Sequence, residues 1–219
     1  MIFPYKLIMF DMDGTFIDSK DFHTKVFYTF FNKYVKPVSV EQVNMGIGNT
    51  VRDIFESFHV PEEEFKILFC KLEQFCREEI KDLICEMKIA NDIAGVLDKL
   101  RKAGMQTALV TNSMHCIAEQ ILKYHRLSER FDYISGADFA SLTKNVRCEK
   151  IRRVANAKPR EVLYVGDAEA DMILVNDLNY AGCFANTSIS WCKDQDYILR
   201  VLKPTYCVRN IRELTEIIL

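Results

Sequence analysis

Four consecutive apolar residues, Leu7-Ile8-Met9-Phe10, run straight into Asp11-Met12-Asp13-Gly14-Thr15. A short apolar run without alternation is what a parallel strand buried on both faces looks like, and such strands belong to sheets covered by helices on both sides. The run stops at two aspartates one residue apart. In open α/β sheets ligands bind beyond the carboxyl ends of the strands. Side chains alternate along extended backbone, so Asp11 and Asp13 can point into one pocket while Gly14 lets the chain turn away. An isolated Asp-x-Asp-Gly is equally an ordinary turn signature, so the rest of the chain must decide.

Downstream, Thr15 to Ser19 reads as a loop in which Asp18 or Ser19 can cap a helix. That helix carries Phe22, Val26, Phe27, Phe30, Phe31 and Tyr34 on one face and is stopped by Pro37. A short helix follows Ser39, a loop Gly46-Ile47-Gly48-Asn49 comes next, and Thr50 is a plausible cap for a further helix reaching Phe58. Pro61 with Glu62, Glu63 and Glu64 opens another helix with acid in its first turn and a stripe from Phe65 to Cys76. No strand signal occurs from 19 to about 88.

The rhythm then changes. A helix ending at Gly104, a strand Met105–Val110 running to Thr111-Asn112-Ser113, a helix over 114–126 and a strand near Tyr133 are expected in turn. A helix over 146–157 and a strand Val162–Val165 ending in Gly166-Asp167-Ala168-Glu169-Ala170-Asp171 come next. Weak strands near Cys183 and Tyr206 and helices over 195–202 and 210–218 complete the chain. Strand alternating with helix at this spacing predicts a doubly wound parallel α/β sheet.

Charge and composition narrow the partners. With 29 basic and 31 acidic residues and a net charge of −2, there is no electrostatic case for nucleic acid or an anionic membrane. No apolar run approaches ~18 residues, no leader pattern is evident at the N-terminus, and eight cysteines form no C-x-x-C pair, so free thiols in a cytoplasmic setting are expected. A parallel sheet gathers Asp11 and Asp13, Thr111-Asn112-Ser113, and Asp167 with Asp171 at one edge, with Lys144 in a loop between the last two. Crowded carboxylates repel unless a cation neutralises them, and an all-oxygen donor set suits Mg²⁺ completed by a substrate phosphate.

With these residues in order, the chain resembles the haloacid dehalogenase superfamily of phosphotransferases, in its phosphoglycolate phosphatase-like and β-phosphoglucomutase-like branch. The matching motifs are Asp11-Met12-Asp13-Gly14-Thr15, Thr111 after a strand, Lys144, and Gly166 to Asp171. The resemblance implies a Rossmann-like core over 1–18 and 89–219 and a helical cap inserted at 19–88. It also implies Asp11 as nucleophile, Asp13 as general acid and base, and Mg²⁺ held by Asp11, the Asp13 carbonyl, Asp167 and Asp171. Thr111 and Asn112 would bind a phosphate oxygen and Lys144 would neutralise charge on phosphate and Asp11.

Each assignment has a plainer counterpart. Thr111 could be a helix cap, Asp171 a first-turn acid, and His23, at a position often histidine in this family, local packing. Lys150 competes with Lys144, whose usual following proline is replaced by Asn145; Lys144 is preferred because a helix should intervene before the strand at 162. Gly46, Asn49 and Arg52 are the cap residues expected to meet substrate, against an ordinary turn and a solvated arginine. The neutral Asn49 speaks against a mutase, which would carry a basic residue there. The expected activity is hydrolysis of a small soluble phosphate ester by a monomer or homodimer. The alternatives are a phosphomutase, a phosphonatase, or a silent binding protein on the same fold.

Overall fold

A computed structural model describes residues 4–90, 92–139 and 142–219. Residues 1–3, which bear on the leader question, lie outside the described residues. The first strand, β1 (Leu7–Phe10), is buried along its whole length. Its alternation divides the core: Ile8 and Phe10 enter one hydrophobic cluster, Leu7 and Met9 another on the opposite face.

The chain then forms β2 (Ile17–Asp18), α1 (Lys20–Tyr34), α2 (Val40–Gly46), α3 (Val51–Ser57), α4 (Glu62–Glu79), α5 (Lys81–Ile84) and β3 (Lys88–Ile89). Two of the helices between β2 and β3, α2 and α3, start at side-chain caps. Ser39 and Thr50 each form a capping box, with Gln42 and Asp53 respectively, satisfying backbone N–H groups that the first turn leaves free. The interior shared by the helices of this segment is aromatic. Phe30 stacks on Phe55 at 6.1 Å, and Phe31 meets Phe58 at 4.5 Å between ring centroids. The antiparallel pairs Ile17 with Ile89 and Asp18 with Lys88 bring the two ends of the helical segment side by side.

The remainder alternates: α6 (Ile93–Lys102), β4 (Gln106–Met114), α7 (His115–Tyr124), β5 (Tyr133–Ala137), α8 (Lys144–Val154), β6 (Val162–Gly166), α9 (Glu169–Leu178) and β7 (Ala181–Ala185). It closes with α10 (Gln195–Tyr197), which loosens into a π-turn over Ile198–Leu202, then β8 (Tyr206–Val208) and α11 (Glu213–Ile218). Six parallel strands lie in the order β5-β4-β1-β6-β7-β8. This is the doubly wound sheet expected from the sequence. The chain builds outward from β1 on one side, then crosses back to start the other, so the crevice at the carboxyl end of β1 is the switch point where such sheets bind ligands.

Several local expectations need correction. Lys144 is not in a loop: the Thr143 side chain accepts from Val146 N and starts α8 two residues earlier than the periodicity suggests, so Lys144 is its first residue and the helix ends at Val154. β4 does not stop at Val110 but continues through Met114, its register with β5 shifting between those two residues. Ser19 stands at the N-cap of α1, yet its side chain caps nothing and turns to Asp13 instead. The last helix begins at Glu213, not near 210.

Candidate active site

Asp11 directly follows β1, and its N–H still reaches the Val165 carbonyl at 2.8 Å, so the nucleophile candidate sits on rigid sheet backbone. Gly14, at φ +73°, turns the chain away and leaves room for Asp167, since a Cβ there would collide with the Asp167 carboxylate. A Cβ on Gly166, at the end of β6, would likewise collide with the Asp171 carboxylate. Asp11, Asp167 and Asp171 can each offer an oxygen, all within 4.8 Å of one another, and all three are buried. Lys144 Nζ lies 3.0 Å from Asp11 Oδ1 and 2.8 Å from Asp171 Oδ1. Lys150 is absent from this cluster, so Lys144 is the lysine that the structure brings to the carboxylates.

The carboxylates differ in electrostatic state. Burial, reinforced by Asp171 and Asp13, pushes Asp11 up to about 7 even though Lys144 and the Met12 N–H pull it down. Asp167 is pushed well above the carboxylate range by burial and by its neighbours Asp171 and Asp11. Asp13 goes the other way. Burial is its largest influence and acts upward, but the combined pull of His23, Ser113 and Ser19 overcomes it and holds Asp13 well below the carboxylate range. On Lys144 the order is similar: burial acts downward, and the charges of Asp11 and Asp171 more than restore the ammonium.

The contacts on Asp13 explain its state. Ser19 Oγ donates at 2.6 Å and His23 Nε2 approaches at 2.8 Å on Oδ1; Ser113 Oγ at 2.6 Å and Thr111 Oγ1 at 3.1 Å donate to Oδ2. Because an ionised carboxylate only accepts, His23 presents its Nε2–H. Thr111 and Asn112 are fixed from behind by Arg147. This buried guanidinium donates to the Thr111 carbonyl at 2.8 Å, the Ser135 carbonyl at 2.9 Å and Asn112 Oδ1 at 3.2 Å. Asp167 accepts from Thr15 Oγ1 at 3.1 Å and from the Trp191 N–H at 2.5 Å.

A cavity of about 700 Å³, counting its mouth to solvent, opens above these groups. Asp11, Asp13, Thr111, Lys144, Asp167 and Asp171 form its floor, and Asn112 and Ser113 its rim. The helical segment roofs it with Phe27, Ile47, Val51 and Ile54, and Gly48 and Asn49 reach it from the loop between α2 and α3. Gly46 and Arg52 are not among its lining residues. Gly46 packs on Ile54, and the Arg52 guanidinium pairs with Glu62 at 2.5 Å and lies 4.1 Å from the Phe65 ring centroid.

Sequence reasoning missed Arg147, Trp191 and the shared role of Ser19, His23 and Ser113. Lys144 and Arg147 lie one helical turn apart on α8, a pairing visible only once that helix is started at Lys144. Trp191 stands in a stretch without regular structure and had no periodic signal.

The model of haloacid dehalogenase-like hydrolases matches residues 8–180, which include all of β1 but Leu7, the Asp11 and Asp13 pair, Lys144 and both aspartates after β6. The chain belongs to the haloacid dehalogenase-like hydrolase family. A pyrophosphatase, PpaX, from Bacillus cereus (strain ATCC 10987 / NRS 248) is 25% identical over 217 residues, 96% of this chain and 95% of its own. Among solved structures, a haloacid dehalogenase-like family hydrolase from Streptococcus pneumoniae superposes with a TM-score of 0.77 at 17% identity, covering 98% of each chain. A β-phosphoglucomutase from Clostridium difficile gives 0.72 at 17%, over 97% of this chain and 96% of its own. These two likenesses concern the fold. The protein is thus an enzyme of the hydrolase family. Among the described residues no helix is long and apolar enough to cross a membrane.

Proposed function

We propose that the protein is a Mg²⁺-dependent phosphatase that hydrolyses a small phosphomonoester through an aspartyl-phosphate on Asp11. The observation that carries this reading is the three-carboxylate cluster, with Lys144 bonded to two of its members, at the switch point of the sheet. Three buried carboxylates with oxygen donors only, two of them pushed toward neutrality, are a site that a hard divalent cation would complete. Asp11, Asp167, Asp171 and the Asp13 backbone carbonyl would hold Mg²⁺. When bound, the ion supplies charge that offsets repulsion between the carboxylate and the phosphate and stabilises the transferring group.

Asp11 attacks phosphorus in line, forming an O–P bond as the bond to the leaving alcohol breaks. Asp13 delivers the proton that the alcohol oxygen takes up. In the second step Asp13 takes a proton from water, whose oxygen attacks phosphorus and returns Asp11 as a carboxylate. The arrangement here, with Asp13 ionised and accepting four hydrogen bonds, matches the base of that second step. Lys144 and the Thr111 and Asn112 groups, steadied by Arg147, hold phosphate oxygens. Residues 19–88 act as the cap over a core of 1–18 and 89–219.

The test is phosphate release from a panel of phosphomonoesters with and without Mg²⁺, for the native chain and Asp11→Asn. Mg²⁺-dependent release that the variant abolishes supports the proposal. Release without metal, or an active variant, overturns the mechanism.

A further inference from the structure

Above its floor, the cavity offers an anion no free counter-charge among the described residues. Among the described residues that line it, the only side chains able to carry positive charge are Lys144 and His23. Both are already held by floor carboxylates, Lys144 by Asp11 and Asp171, His23 by Asp13. Several cations of the helical segment are engaged elsewhere. Arg52 pairs with Glu62, Lys25 with Glu86 and Lys33 with Glu79, and Lys36 donates to the Phe58 carbonyl. None of the residues outside the described set has a basic side chain.

What faces the phosphate site instead is apolar: Phe27, Ile47, Val51 and Ile54 from the helices, Met114 and Ile117 from the core. Two neutral polar groups interrupt this wall, the Asn49 amide and the Trp191 indole. Trp191 Nε1 is buried and has no hydrogen-bond partner among the described residues. Its ring stands edge-on to His23, with centroids 6.1 Å apart, and next to Gly48, while its backbone N–H donates to Asp167, so it bridges floor and roof. A second anion on the substrate would shed its water here without a counter-charge, which is unfavourable. Hydrocarbon placed there is stabilised by leaving water.

We propose that the substrate is the phosphomonoester of an uncharged alcohol, with an apolar body against Phe27, Ile54 and Trp191 and an acceptor atom for the indole N–H. The inference rests on the phosphomonoesterase reading above. It separates this chain from its pyrophosphatase relative, because pyrophosphate would place a second anionic phosphoryl group against an apolar wall.

The decisive comparison uses a near-isosteric pair, isobutyl phosphate and carboxymethyl phosphate, with pyrophosphate as a third substrate, all in Mg²⁺. The expected result is a kcat/KM for isobutyl phosphate at least tenfold above the other two. Equal rates, or preference for either anionic leaving group, overturn it. Binding is read separately through the fluorescence of Trp191, the one tryptophan in the sequence. Isobutylphosphonate should bind at least tenfold more tightly than phosphonoacetate, and equal or reversed affinities sink the inference. If no ester is turned over, the hydrolase reading falls while the phosphonate pair still decides the character of the wall.

Discussion

The floor and the roof of the cavity are built on opposite principles. The floor is charge held by backbone: Asp11, Asp167 and Asp171 stand where parallel strands end, and their repulsion is met by one lysine. The roof is packing held by aromatic rings, with its charges paired away from the cavity. A site divided in this way can keep one chemistry while its selectivity drifts, because the residues that react and those that recognise share few contacts. Asp13 is the exception. Its carboxylate belongs to the floor, yet one of its partners, His23, lies on the first helix of the roof.

The floor is most sensitive at Asp11. Asp11→Asn should lower phosphate release by at least about 10⁴-fold, the scale of losing a nucleophile, with the fold intact by circular dichroism. The folded-state pKa of Asp11 is raised to about 7, above the ~3.9 of an unfolded aspartate. The native fold therefore binds that proton more tightly, and metal-free native protein loses this stabilisation as pH rises from about 4 to about 7. Asp11→Asn should gain melting temperature relative to native protein across that window in EDTA. A constant difference would contradict the assigned burial.

Phe30→Ala addresses the roof. Phe30 is fully buried and contacts Phe31, Phe55 and Phe75, so its loss should cost about 3–5 kcal/mol in denaturant unfolding. His23→Ala tests the link between the halves. Removing the partner that holds Asp13 low should move the acid limb of the kcat/KM profile to higher pH and reduce the rate by up to about 10²-fold. An unmoved limb would show that Asp13 is held by its three hydroxyl partners alone. The smallest effect is expected for Thr50→Ala, which removes a cap at the start of α3 and should cost about 1 kcal/mol, measured by thermal unfolding.

The floor is more legible in the sequence than the roof. An apolar run ending in Asp11 and Asp13 identifies a strand end, and the sheet rule then places the Thr111 and Asp167 segments beside it without any knowledge of side-chain geometry. Lys144 is legible as a residue but not as the first residue of a helix, because the cap at Thr143 lies outside the apolar periodicity. Arg147 could not be found from periodicity, since its role is to bond carbonyls of another strand. Arg52 illustrates the opposite difficulty. A cation near the cap loop suggests an anion site, but only the three-dimensional packing shows that Glu62 and Phe65 have taken it. Trp191 depends on a chain path without helix or strand, for which sequence periodicity holds no information.

The position of β1 has a consequence for the time at which this protein becomes itself. β1 comes before both of its neighbours in the sheet, which begin their pairing at Gln106 and Val162. The helices after it are local and close among themselves, whereas the central strand must wait for distant partners whose capture is slow. During synthesis the sticky tetrapeptide Leu7-Ile8-Met9-Phe10 emerges ahead of both partners and stays unpaired until the segments at Gln106 and Val162 have followed it. Its vulnerability to off-pathway association is therefore greatest just then. Asp11 leaves the ribosome well ahead of Thr111, Lys144 and Asp167, so the site they form together is completed late.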